Sequence, residues 1–468
     1  MTNLTSLIEP EILAQIDEQT ANTEIKHKEL ELTHNRFDLA FKLYFLQALD
    51  MEQSSDYREL CYKQHIKAFL EGTYSEPNNP EKNSYQQFKI IFETLFNSIK
   101  IDGFDANKSL IPLAQDGSSL NGAHRTAATI FFAQSASVLQ TQLPPRIFDY
   151  LYFKQRGVPT AMLDAVAQTF IEYDPKCFLA IIWPAANGHD SEVEKILAHA
   201  VYKKSVKLNY NGAHNILAEA YQSESWLGDE KNNFPGIKNK LVACFPNFKE
   251  VKVCLFKADN LEQVLQLKEQ VRDLFNIGKH AIHITDSQEE TLRLGRLLLN
   301  DNGVHFLNYA LPRKFFTGVI STAVRNVAVE IEPVIWDERI LMNLYGLQKY
   351  DIKAAEQLTA IDKYFDENSH DINELIDHPK NYFWYKNRKY MALKTLLAMK
   401  VERNLPQDIK DIALIKPLMT DSKWRENVDV ICCQLYFKKI KFITSIKLTI
   451  ARILIKLGLF DLIKNLRS

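Results

Sequence analysis

Between Asp149 and Asn308 short apolar runs alternate with amphipathic ones, and this alternation constrains the fold more than any other feature of the chain. Residues 177–183 form an apolar run ending at Pro184, of strand length and too short for a buried helix. A second run covers 250–256 and a third 280–284; 206–208 reads as a further short strand. Between them the apolar spacing predicts helices over 191–200, 211–221, 261–275 and 286–299. Strands alternating with helices predict an α/β or α+β unit here.

The flanks read differently. Apolar stripes predict helices over 36–46, 57–70 and 85–99, separated by a loop with Pro77 and Pro80. Residues 109–114 read as a strand, Asp116-Gly117 as a turn, and 121–132 as the entry and body of an alanine-rich helix. Beyond Pro333 the pattern is mostly helical, with a hairpin-like aromatic piece at 382–387. At about 150 residues per domain, 468 residues predict two to four folded units. The fold class expected is α+β and multi-domain: a helical region 1–100, a segment 101–148, a central unit 149–310, a mostly helical region 311–435 and a terminal helix 436–468. Asn-Gly-Ala-His occurs at both 121–124 and 211–214, but one four-residue match in a chain this long is no repeat.

Composition excludes some classes. Hydrophobic residues make up 46% and charged residues 25%, too apolar for a disordered chain. Lys+Arg number 57 against Asp+Glu 58, so a globally basic nucleic-acid coat is excluded and no nucleic-acid partner is expected. No run of about 18 uncharged apolar residues marks a transmembrane helix. The first nineteen residues carry acids and no basic residue, unlike a secretory signal. The six cysteines show no C-x-x-C spacing and read as buried thiols. A cytoplasmic location is expected.

Two segments carry candidate chemistry. In the first, Asn121, Gly122, Ala123, His124 and Arg125 open a helix just after the Asp116-Gly117 turn. Unpaired amides, the positive end of the helix dipole and a forked guanidinium together suit a phosphate group, and glycine lets an anion approach the backbone. Asp116 or Asp105 is the candidate carboxylate for magnesium or for activating an acceptor hydroxyl. In the second, Lys279 and His280 lead to His283 and Asp286 at a strand–helix junction, where α/β proteins commonly bind ligands. On a strand His280 and His283 face opposite ways, which excludes joint metal chelation. His283 with Asp286 reads as a base and its orienter; both are catalytic candidates with Asp116. Thr285, Asp286 and Ser287 each have Gln or Glu three residues on, so a capping box is also written here. A nearby polar loop offers Trp226 for stacking and Lys238 and Lys240 for anion contact.

The stretch from Gly103 to Phe132 resembles the ParB/sulfiredoxin superfamily, in which a Gly-x-His-Arg element at a helix start binds nucleotide phosphates. Gly122, Ala123, His124 and Arg125 match it, and Ala123 stands where sulfiredoxins carry their catalytic cysteine. The resemblance implies nucleotide or phosphate handling, and the alanine excludes sulfiredoxin chemistry; Mg2+ is the one cofactor expected, as companion of a nucleotide. The order Gly-Ala-His-Arg, Trp226-Leu227-Gly228, Gly-Lys-His-x-x-His-Ile-Thr-Asp at 278–286 and Tyr345-Gly346-Leu347 resembles proteins of bacterial capsule and lipopolysaccharide gene clusters. The region around Leu344, with Asp351-Ile352-Lys353 and then Lys400, Asp408 and Asp411, resembles nucleotidyltransferase-like domains. Lys353 replaces the second carboxylate of Asp-x-Asp, which makes that copy degenerate.

The tail from Tyr436 to Ser468 carries six Lys and two Arg against one acid, with Ile443, Ile446, Ile450, Ile453 and Leu457 at spacings of three and four. It reads as a basic amphipathic helix for an anionic membrane surface, with peripheral attachment to the inner face of the cytoplasmic membrane. Together these features predict a transferase of surface-polysaccharide biosynthesis. Its expected ligands are a nucleotide or sugar-phosphate donor and a glycan or lipid-linked acceptor. Phosphoryl transfer leads, glycosyl transfer is close behind, and a non-enzymatic nucleotide- or glycan-binding scaffold is the alternative.

Overall fold

The structure, a computed structural model, describes residues 7–16, 25–50, 56–77, 79–229, 234–309, 377–385, 388–419 and 423–457. After α1 (Pro10–Leu13) and β1 (Ile25–Glu29) come the three expected helices, α2 (Phe37–Asp50), α3 (Asp56–Phe69) and α4 (Tyr85–Asp102). α4 shows why the stripe forms a helix. The Ser84 side chain accepts the Gln87 N–H, Phe88, Phe92, Phe96 and Ile99 bury one face, and Gly103 at φ +77° ends the helix.

β2 (Ile111–Leu113), α5 (Ala123–Phe131) and β3 (Ser135–Gln140) follow. β2 and β3 run parallel and β1 pairs antiparallel with β3, giving the order β1-β3-β2. The sequence pattern predicts neither β1 nor β3. All five residues of β1 are exposed, so no alternation marks it, and β3 opens Ser-Ala-Ser, which carries little β preference.

The central elements are α6 (Tyr150–Gln155), α7 (Thr160–Tyr173), β4 (Cys177–Ile182), α8 (Asp190–Ile196), β5 (Ala200–Val206), α9 (Tyr210–Ala220), α10 (Ile237–Cys244), β6 (Val251–Lys257), α11 (Leu261–Phe275), β7 (Ile282–Ile284), α12 (Gln288–Leu298) and α13 (Asp301–Tyr309). The sheet order is β5-β6-β4-β7 and every pairing is antiparallel. Alternation therefore does not produce parallel β-α-β units here, and the fold is α+β.

β4 is apolar throughout because both faces of the sheet are covered. Cys177, Leu179 and Ile181 enter the large core, while Phe178, Ala180 and Ile182 enter a second one with Val193, Val264 and Val271 of α8 and α11. Two expected boundaries move. The helix expected over 191–200 ends at Ile196, and the strand expected over 206–208 instead runs from Ala200 to Val206. β5 is an edge strand whose Lys203 and Lys204 pair with Glu194 and Asp164, so its sequence lacks an apolar signature. Likewise only Ile282–Ile284 of the third apolar run is strand, because Gly278–His280 forms a 3-10 turn.

The aromatic hairpin is present as β8 (Tyr382–Tyr385) and β9 (Arg388–Met391), followed by α14 (Leu393–Arg403), α15 (Pro406–Met419) and α16 (Lys423–Lys456). The segment 344–353, with the degenerate Asp-x-Asp, lies outside the described residues. The large core is continuous from Leu32 to Leu418, joining N-terminal helices, one face of the central sheet and the C-terminal hairpin. Phe37 stacks on Tyr202, and Phe306 on Phe383. Among the described residues no helix is long and apolar enough to cross a membrane.

Candidate functional site

The β7–α12 junction is pinned before any functional group is placed. The Thr285 side chain accepts the Leu179 N–H at 2.9 Å and meets the Thr291 hydroxyl at 2.7 Å, locking the end of β7 to β4 and to the first turn of α12. Ser287 caps α12, accepting the Glu290 N–H at 3.2 Å, so of the three boxes written in the sequence Ser287–Glu290 sets the cap, with the Glu290 carboxylate returning to the Asp286 N–H instead of that of Ser287.

The cap register decides the partner of His283. Its Nε2 lies 3.1 Å from Glu290 Oε1, while Glu290 Oε2 accepts the Asp286 N–H at 2.8 Å. The pairing expected between His283 and Asp286 is corrected: the Asp286 carboxylate instead accepts from Lys268 at 2.8 Å. Asp286 points toward α11 because it precedes the cap, whereas Glu290 is one turn into the helix and projects back over β7. Glu290 is held in turn by Arg293, 3.9 Å away, and Arg293 donates to the Glu219 carboxylate and carbonyl at 3.0 and 2.8 Å. Burial raises the Glu290 pKa, but the His283 and Asp286 donors and Arg293 outweigh it and hold the carboxyl below its ordinary value. A carboxylate only accepts, so the geometry puts the His283 proton on Nε2 and leaves Nδ1 as an acceptor. Nδ1 has no hydrogen-bond partner among the described residues.

His283 lines an open cleft of about 1180 Å3. The structure brings Trp226, Lys240, Lys279, His280, His283 and Asp286 together around it, so two segments about fifty residues apart in the chain form one site. Lys238 is exposed on the helix that carries Lys240 but does not line the cleft. One wall is cationic. Lys268 and Arg272 come from α11, Lys240 from α10 and Arg293 from α12. Lys240 lies over the Tyr221 ring at 4.7 Å, donates to the Lys279 carbonyl, and is pushed below the usual lysine pKa by burial.

The opposite rim is aromatic. Trp226 sits 5.3 Å from Tyr221, with its indole N–H donating to Glu224, and is 41% exposed toward the cleft mouth. Its loop can dock only because residue 236 is glycine: a Cβ there would lie 1.9 Å from the Trp226 carbonyl oxygen. Tyr221 stands edge-on to His283 at 5.0 Å. Five Lys and Arg side chains line the cleft with two imidazoles against four acids, and Lys268, Arg272 and Arg293 are paired with Asp286, Glu269 and Glu219, so the cationic excess is small. That excess suits an anionic ligand with a planar or sugar-like part against Trp226.

Asp116 and the 121–125 segment lie elsewhere, and none of them lines this cleft. Gly122 adopts φ +74° before α5, and its N–H is taken by the Asn121 side chain. The Arg125 guanidinium folds back over Gly122, where a Cβ would lie 2.9 Å from a terminal nitrogen, and is 3.7 Å from Glu9. His124 turns away from the helix start: its Nε2 is 2.9 Å from the Tyr62 hydroxyl, it lies edge-on to Phe92, and burial pushes its pKa well below the histidine range. Ala123 is the first residue of α5, and its methyl packs against the large core.

Asp116 closes its own turn, accepting from the Ser118 hydroxyl and amide and from Asn35. Burial acts to raise its pKa, and those donors outweigh it and keep it low. Asp105 accepts from the Asn107 N–H and pairs with Lys108 at the surface. Behind the turn, Arg36 reaches Ser119 at 2.7 Å and belongs to a buried cluster with Asp38, Lys42 and His65.

Lys400 is buried between Asp411 at 2.7 Å and Asp408 at 3.2 Å. Both carboxylates bind a lysine inside the helical hairpin α14–α15. Among the described residues no group of three or more metal-ligating side chains is present. Sequence reasoning missed Tyr221, Glu219, Lys268, Arg272, Glu290 and Arg293. Lys268 and Arg272 are four apart on α11, a signal that marks a shared helix face without saying what it faces.

Comparison with protein-family models, curated proteins and solved structures finds no match.

Proposed function

We propose that the chain is a transferase of bacterial surface-polysaccharide biosynthesis, acting on capsule or lipopolysaccharide precursors in the cleft between α10, α11 and the β7–α12 junction. The donor is a nucleotide or other phosphorylated compound, the acceptor a sugar or glycan hydroxyl, and the reaction phosphoryl transfer. The observation that carries this is the His283–Glu290 pair beside a wall of lysines and arginines. His283 Nδ1 takes the acceptor hydroxyl proton as the oxygen attacks phosphorus. Glu290 holds the imidazole in the right tautomer and stabilises the imidazolium that forms. Lys268, Arg272 and Lys240 neutralise the phosphates and the departing group, where most of the catalytic effect of such a reaction resides. Mg2+, where it enters with the nucleotide, would add to the charge neutralisation that these cations supply. The capsule-cluster resemblance supplies the pathway, and its Trp226 and 278–286 motifs are the ones that border the cleft.

Thermal shift with ATP, CTP, GTP, UTP, sugar nucleotides and sugar phosphates, with and without Mg2+, tests the reading. At about 100 times its dissociation constant, a ligand adds about 2.7 kcal/mol. A shift lost in Arg272→Ala and kept in Arg125→Ala supports the cleft. The reverse pattern moves the phosphate site to the start of α5. No shift with any ligand overturns the nucleotide reading. Glycosyl transfer uses the same base and the same cations, and Trp226 favours it as the second reading because an exposed indole at a cleft mouth suits a sugar face. Product analysis separates the two: the acceptor gains a phosphate or a sugar.

A further inference from the structure

We infer that α16 lies in the plane of an anionic lipid bilayer, and that this attachment is independent of the cleft. From Tyr436 to Leu457 the chain carries six basic residues and no acid. The helix also exposes large apolar side chains that no described residue covers. Phe442 is 67% exposed and Ile446, Ile450, Ile453 and Leu457 are 43–63% exposed.

At 3.6 residues per turn these five positions fall within an arc of about 80°. Lys438, Arg452 and Lys456 follow along one edge of that arc and Lys447 along the other, all exposed. An apolar stripe with cations at its borders matches the boundary between acyl chains and headgroups, with the ammonium and guanidinium groups reaching the phosphate level. Lys439 interrupts the arc and snorkels; Leu448 and Ile455 stand outside it. Apolarity, not length, decides against crossing: this helix has 34 residues, but among the described residues no helix is apolar enough to cross.

A second copy of the helix is the competing occupant, and charge argues against it. Pairing two such helices brings two all-basic edges together with no carboxylate from either side between 436 and 457. An anionic surface supplies the missing charge.

The test is co-sedimentation of the full chain with vesicles of phosphatidylcholine alone, or with about 30% phosphatidylglycerol to give a typical anionic surface potential. Binding is expected only to the anionic vesicles and weakens as salt shortens the Debye length. Ile446→Glu with Ile453→Glu, at exposed positions that leave the fold unchanged by circular dichroism, abolishes it. Lys447→Glu with Arg452→Glu weakens it by at least about five-fold per cation removed. Trp226→Ala, in the cleft, leaves it unchanged, so failure of the proposed reaction does not touch this inference. Equal binding to both vesicles, no binding by the folded chain, or a dimer that Ile446→Glu with Ile453→Glu dissociates would each overturn it.

Discussion

Asp38→Asn tests the buried cluster that supports the 116–120 turn. Asp38 accepts from Arg36 at 2.7 and 2.9 Å and from Lys42 at 3.1 Å, and all three side chains are buried. Burial pushes His65 well below the histidine range, with Lys42 adding to that, so it is neutral and the cluster carries one net positive charge. The substitution keeps the shape and removes the only negative charge, leaving two buried cations facing an amide. Breaking a buried pair this way costs about 3–5 kcal/mol.

Lys42 gives that loss a pH signature. Burial lowers its pKa to about 8, against the pull of Asp38. A lysine whose folded pKa lies below its unfolded value binds fewer protons when folded, so stability rises with pH between the two values. In the wild type this rise starts near pH 8 and amounts to about 3 kcal/mol by pH 10.4, from roughly 1.36 kcal/mol per pKa unit. Without Asp38, which holds it up, the Lys42 pKa falls further and the rise begins at lower pH than in the wild type. The variant's deficit is therefore larger at pH 7 than at pH 8, and constant above that. Urea unfolding read by fluorescence reports it, since Trp183 is buried in the same core as Phe41 and Phe45. A deficit below about 1 kcal/mol, or one equal at pH 7 and pH 8, refutes the reasoning.

Lys400→Met removes the cation that lies between the buried carboxylates of Asp408 and Asp411, and is expected to cost about 3–5 kcal/mol; a thermal midpoint within a degree of wild type would contradict it. Gly236→Ala drives a methyl into the Trp226 carbonyl and displaces the 225–227 loop, so ligand affinity at the cleft falls while the melting of the body barely changes; titration calorimetry reads the first and calorimetric unfolding the second. Glu290→Gln removes the orienting carboxylate, and turnover in the identified reaction should drop at least about 100-fold with little change in KM, the reverse split arguing for a binding role.

The fold was legible where one residue pattern served one purpose. Phe88, Phe92, Phe96 and Ile99 announce α4, and the Cys177 run announces β4 because both of its faces are covered. β1 and β5 were hidden for the opposite reason. β1 is exposed at every residue, and β5 spends Lys203 and Lys204 on ion pairs along a sheet edge, so neither carries the apolar signal that marks a strand. Strand direction was not written at all: a helix follows β4, β5 and β6 alike, yet all the pairings they make with one another are antiparallel.

The candidate site divides along the same line between local and long-range information. His283, Trp226 and Lys240 were visible because their residue types are conspicuous in polar loops and strand ends, and the structure gathers them around one cleft. Which acid serves His283 was not visible, because three overlapping capping boxes assign the carboxylates differently and only the register of α12 selects Ser287 with Glu290. That selection also frees Asp286 to hold Lys268, so one local choice sets both the base and part of the cationic wall. The 121–125 segment shows the converse. Its helix start and left-handed glycine are present, but His124 is drawn inward by Tyr62 and Phe92, contacts whose sequence distance no local motif can encode. Arg125 alone of that motif keeps a side chain available to an anion, and the carboxylate of Glu9 now stands beside it.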